Sequence, residues 1–136
     1  YIEDGKSELI VSKDEKYSYR INKEDNSVEI IAYLKNDMEN LEVPETIDGL
    51  AVTSLGEASF AYHEELKSVK MPKTINTIKM AGFGSCVNLK KVYFPEDIAT
   101  IDDWAFGDFT GTVVTVKDYN LYNFAKSNGV MVEDLK

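Results

Sequence analysis

A chain of 136 residues has the length of one domain and is too short for a two-domain dehydrogenase or a complete barrel enzyme. With 43% hydrophobic and 29% charged residues it has the makings of a core, and no apolar run approaches the roughly 18–20 residues that cross a bilayer as a helix. Twenty-four acidic residues stand against fifteen basic ones, of which only Arg20 is an arginine, so the clustered cations that neutralise phosphates are missing and nucleic acid is not an expected partner.

The chain starts at Tyr1 without a Met and without a basic, apolar and small-residue leader, a pattern expected of a processed protein or of a piece of something longer. Residues 1–16 are mostly charged, and their beginning should be loose or paired at a sheet edge. Next come two aromatic and β-branched runs, 17–21 and 28–33, joined through Glu24-Asp25-Asn26; they predict an antiparallel hairpin. Residues 1–37 are thus expected to form a hairpin cap.

From residue 38 to residue 117 the sequence repeats itself. Leu66, Val69, Met71 and Pro72 return as Leu89, Val92, Phe94 and Pro95, each 23 residues on. The same offset carries Ile75 to Ile98, Ile78 to Ile101, and Phe60 to Phe83 and Phe106. Met38, Leu41, Val43 and Pro44 fit the frame at an interval of 28, with the surplus near Asp48-Gly49, a tight-turn signal that predicts a small inserted hairpin. In the last unit the strand is 112–116, with Val114 and Val116 expected in the places of Val92 and Phe94. Residues 118–136 close the chain: a capping helix over 118–127, begun by Asp118 and ended by Asn128-Gly129, then a short strand at 130–132.

Because side chains alternate along a strand, each Leu-x-x-Val-x-Met/Phe-Pro unit turns its apolar residues to one face. A single unit cannot bury that face. Copies stacked at about 4.8 Å merge their faces into one core, and the prolines, lacking an N–H, turn the chain at Pro44, Pro72 and Pro95. Phe60, Phe83 and Phe106 are then expected to form an internal aromatic column.

The runs 52–60 and 66–75, with Cys86 at the Cys position of the pattern I-G-x-x-A-F-x-x-C-x-x-L-x-x-V-x-I-P, resemble the BspA-like leucine-rich repeats of bacterial surface and secreted proteins. His63 and Phe109 fill the Cys position in the neighbouring units, and the segment from Val116 to Gly129 looks like the family's closing segment. The resemblance covers about residues 38–130. It implies an α+β, mostly β fold: a short leucine-rich-repeat solenoid of stacked parallel strands with an N-terminal β-hairpin cap and a C-terminal helical cap. It also implies an extracellular or cell-surface location and an adhesion or protein-binding role, without catalysis or cofactors. A structural spacer or interaction module within a larger secreted polypeptide is the alternative.

Candidate chemistry is sparse. His63, the only histidine, shares a repeat position with Cys86 and Phe109 and is therefore expected to be structural. Cys86 is expected to be an unactivated thiol in an apolar stack, and with no second cysteine it cannot form an internal disulfide. The carboxylate pairs Glu64-Glu65, Glu96-Asp97 and Asp102-Asp103, with Asp108 nearby, lack the spacing of a hard-cation loop and are expected to be solvated turn residues. The outer face of the strands is more informative. There the repeat sets Asn40, Ser68, Lys91 and Val113 in one row and Glu42, Lys70, Tyr93 and Thr115 in the next, beside Lys67 and Lys90. This predicts a small basic strip around an aromatic, suited to an acidic protein surface or a glycan. Glu42, Ser68, Lys70, Lys91, Tyr93 and Thr115 are the expected partner-binding residues.

Overall fold

In the computed structural model, which describes residues 8–136, the chain opens with β1 (Ile10–Val11), β2 (Tyr17–Asn22) and β3 (Ser27–Tyr33). The last two form the antiparallel hairpin, and β1 pairs antiparallel with β2 at the edge. The expectation for the first seven residues lies outside the described ones. Next come β4 (Asn40–Glu42), β5 (Thr46–Ile47) and β6 (Leu50–Leu55). The inserted hairpin is β5–β6, turned by Asp48 and Gly49, both left-handed with φ of 51° and 84°, as two-residue hairpin turns require.

Two short strands per coil follow. They are β7 (Ser68–Lys70) and β8 (Thr77–Ile78), β9 (Lys91–Tyr93) and β10 (Thr100–Ile101), then β11 (Thr112–Thr115), helix α1 (Asn120–Ser127) and β12 (Met131–Asp134). One strand of each coil joins a parallel five-stranded ladder ordered β12-β11-β9-β7-β4. The other joins a sheet running β1-β2-β3-β6-β8-β10, so the N-terminal hairpin continues one wall of the solenoid as well as covering its end. The prolines act as corners. The residue before each one makes the last rung, Val43 N–H to the Lys70 carbonyl at 2.9 Å and Met71 N–H to that of Tyr93 at 2.8 Å, after which the proline has no N–H to give.

Between the walls lie the repeated columns. Leu66, Leu89, Val69, Val92, Ile78 and Phe83 are all 0–1% exposed. Phe60 stacks on Phe83 at 5.7 Å and Phe83 on Phe106 at 6.4 Å, each with 13° between ring planes. The column extends past the repeats at both ends, to Tyr33 of β3 at 6.4 Å and Phe124 of α1 at 6.5 Å. Both caps therefore contribute a ring to it. Turn geometry recurs with the sequence: Ala58 and Ala81 have φ of 53° and 55°, Tyr62 and Ser85 of 64° and 57°.

Two expectations are corrected. The last strand is displaced by two residues rather than one, for Val113 pairs with Val92 and Val114 with Tyr93. Val113 is consequently buried, and Thr115, expected on the outer face, points inward in the place of Phe94 with no exposed surface. Its hydroxyl donates to the Phe94 carbonyl at 2.9 Å, which removes the cost of burying it. The shorter path runs through Gly111, where a Cβ would lie 2.6 Å from the Leu89 carbonyl oxygen and 2.8 Å from that of Lys90. Only glycine passes so close.

The second correction concerns α1. Asp118 does not cap it; the N-cap is Tyr119, which makes no side-chain cap bond. Asp97, from the preceding coil, accepts from the Asn120 and Leu121 N–H groups at 2.9 and 3.0 Å. A carboxylate at the helix N-terminus thus satisfies two orphan donors and meets the dipole with negative charge. The other end follows expectation. Gly129 is left-handed (φ 78°) and donates to Lys126, while Val130 N–H reaches the Ala125 carbonyl at 2.9 Å, the paired closure of a Schellman motif.

Candidate ligand-binding face

Inward Leu41, Val69, Val92 and Val113 fix which residues of the ladder face out, since neighbours in a strand alternate. The pairing aligns Asn40, Ser68, Lys91, Thr112 and Met131 in one row and Glu42, Lys70, Tyr93, Val114 and Glu133 in the next. Of the expected binding residues, Glu42 and Lys70 are exposed, Ser68, Lys91 and Tyr93 are half-buried, and Thr115 is buried. The first five are brought together on one face. Thr115 is not among them; by register Thr112 and Val114 take the positions expected of Val113 and Thr115, Thr112 half-buried and Val114 buried.

The face is a charge ladder rather than a basic strip. Lys70 Nζ lies 4.0 Å from Glu42 Oε1 on one side and 5.8 Å from the centroid of the Tyr93 ring on the other, within cation–π range. Lys91 pairs with Glu133 at 3.3 Å, and Lys67 beside the face pairs with Glu39 at 3.3 Å. Ser68 donates to Asn40 Oδ1 at 2.7 Å. All three ion pairs are between well-exposed side chains and hold the face in register more than they stabilise the fold. Glu133 belongs to β12, outside the repeat, so no periodic signal marks it. Glu39 precedes Lys67 by the same 28 residues that separate Leu41 from Val69, a signal the repeat did contain.

The candidate catalytic groups lie elsewhere. His63 is buried, 5.4 Å from the Tyr33 ring, with Nδ1 2.9 Å from Glu65 Oε2. Cys86 is buried too, its thiol donating to the Phe60 carbonyl at 2.7 Å. Burial, aided by the charges of Glu65 and Asp108, pushes this thiol up and leaves it a poor nucleophile. Asp102 accepts from Trp104 N–H and Asp108 from Ser85 N–H, both as turn residues. Among the described residues no group of three His, Cys, Asp or Glu is placed to hold a metal ion. Among the described residues, two open grooves stand out. One of about 510 Å³ runs over Arg20, Glu29 and Lys79, where Lys79 pairs with Glu29; the other, of about 450 Å³, lies beside β4. Neither is lined by His63, Glu64 or Asp102.

Comparison with known proteins agrees with this architecture. The model of the BspA type leucine rich repeat region matches residues 26–128 in six copies. Among solved structures, the crystal structure of the T. pallidum leucine rich repeat protein is similar, with a TM-score of 0.53 and 12% identity, covering 93% of this chain and 83% of that one. At that identity the likeness is one of fold. No curated protein matches the sequence.

Proposed function

This chain belongs to the BspA type leucine rich repeat family, an architecture of protein-interaction modules that is typically non-catalytic, and from that premise we propose that it is a non-catalytic binding module of a bacterial surface or secreted protein. It engages a protein or a glycan through the outer face of the five-stranded ladder. The observation that supports this reading is the outward Tyr93, half-buried between Lys70 and the Lys91 row. A half-buried aromatic ring among charges is the kind of group on which binding energy concentrates. Lysines of this face each set beside a carboxylate favour a partner that carries both signs of charge, by complementarity rather than by bulk attraction.

A second reading, that of a structural spacer within a larger secreted polypeptide, is favoured by the same rungs, because Lys67, Lys70 and Lys91 already have acidic neighbours. Arrays of glycans and purified matrix proteins, probed with the wild type and a Lys70→Glu, Lys91→Glu, Tyr93→Ala variant, separate the two. Binding that the folded variant loses supports the module. Binding that survives in the variant removes this face, and an absence of binding to any array element favours the spacer.

A further inference from the structure

The two walls of the solenoid do not end together. One continues through β3, β2 and β1, whereas the five-stranded ladder stops at β4, which among the described residues has a neighbour on one side only. In the segment around β4 the Glu39 carbonyl accepts from Lys67 and Ser68, and Val43 N–H donates to Lys70. The odd positions therefore face β7. By the alternation of a parallel ladder, the N–H and C=O groups of Asn40 and Glu42 point to the open side.

On that side lies the groove of about 450 Å³. Its apolar lining includes the exposed Met38 and, beneath it, the buried Tyr17, Tyr33 and Leu41, whose first two rings sit 5.3 Å apart and tilted. Its charged lining is acidic, with Asp14, Asp37 and Glu42 against Lys16. The Tyr33 hydroxyl donates to Asp37 at 3.2 Å. Open backbone donors and acceptors, an apolar wall and an acidic rim specify a complement: an extended chain with its own backbone to pair, carrying a cationic side chain that can lie between the carboxylates.

We propose that the β4 edge and this groove bind an extended segment of a partner protein that carries lysine or arginine, taken up as a further strand of the ladder. This site shares Glu42 with the outward face but uses neither Lys91 nor Tyr93, so variants at Lys91 and Tyr93 tell the two surfaces apart. The probes are a blocked, fluorescent heptapeptide of alternating valine and lysine, its glutamate counterpart, and the lysine peptide N-methylated at alternate residues. The lysine peptide binds at least about ten-fold more tightly than either control. At saturation it slows amide exchange at Asn40 and Glu42 by at least about ten-fold. Asp37→Lys with Glu42→Lys weakens it by about ten-fold or more, and Lys91→Glu with Tyr93→Ala leaves it unchanged. Equal binding of the N-methylated peptide, or unaltered exchange at both amides, overturns the proposal. So does exchange that slows with protein concentration alone, since the occupant is then a second copy of this chain.

Discussion

Replacing Phe83 by alanine tests the stacked interior most directly. The ring has no exposed surface, lies between Phe60 and Phe106 at 5.7 and 6.4 Å, and touches Phe109 at 6.2 Å. Removing it deletes apolar burial and leaves a cavity that neighbours on both sides can fill only by moving coils, a loss of about 3–5 kcal/mol. Domains of this size have in total about 5–15 kcal/mol, so the variant is expected to be marginal at room temperature. Urea unfolding followed by far-ultraviolet circular dichroism should show a large fall in midpoint at constant slope. Trp104→Ala is the control: at 69% exposure its cost is within about 0.5 kcal/mol. Phe83→Leu keeps most of the volume but removes the stacking, which contributes about 0.5–1.5 kcal/mol per ring pair. Because a solenoid couples nearest neighbours, Phe60→Leu and Phe83→Leu should be non-additive, whereas Phe60→Leu and Phe106→Leu should add within about 0.5 kcal/mol. A Phe83→Ala cost no larger than that of Trp104→Ala would refute the column as the centre of stability.

Three further outcomes are expected. Asp97→Ala should cost about 1–2 kcal/mol by uncapping α1, with faster amide exchange at Asn120 and Leu121; exchange unchanged at both would show the cap to be idle. Ser59 is 1% exposed with a hydroxyl that has no partner, and the repeat places Gly82 and Ala105 at the same position, so Ser59→Ala should raise stability by about 1 kcal/mol in the same urea assay. At alkaline pH the buried tyrosines decide stability. Burial, assisted by the Asp48 hydrogen bond at Tyr19 and by the Asp37 charge at Tyr33, pushes both phenols up to about 12, and Tyr17 is raised as well. Unfolded phenols titrate near about 10. The raised folded values therefore contribute stability that is complete below about pH 10 and is lost as pH climbs towards 12. Tyrosinate absorbance should show these groups ionising late and together with unfolding, and simple titration of every tyrosine near pH 10 in a folded chain would contradict it.

Much of the fold was readable from spacing. A column that returns every 23 residues is written several times, and each copy corroborates the others. That is why Phe60, Phe83 and Phe106, the proline corners and the Asp48-Gly49 hairpin could all be placed before any coordinates. The outward rows were legible for the same reason as far as Glu42, Ser68, Lys70, Lys91 and Tyr93. Reading failed where an event occurs once. Thr112-Val113-Val114-Thr115-Val116 offers apolar residues on both parities, and the outward choice depended on whether a close backbone approach at Gly111 shortens the coil and whether a carbonyl waits for the Thr115 hydroxyl. Composition records neither.

The same distinction governs the ends and the charges. Sequence alone determined that successive coils share an interior, since alternation and period are properties of the chain itself. Tertiary structure alone decided that Asp97 rather than Asp118 caps α1, that Tyr33 and Phe124 extend the aromatic column, that Glu133 of β12 stands opposite Lys91 on the outer face, and that β4 is left with an open edge. These depend on distances between residues far apart in the chain and made only once, and a pattern can encode a contact only where the contact recurs.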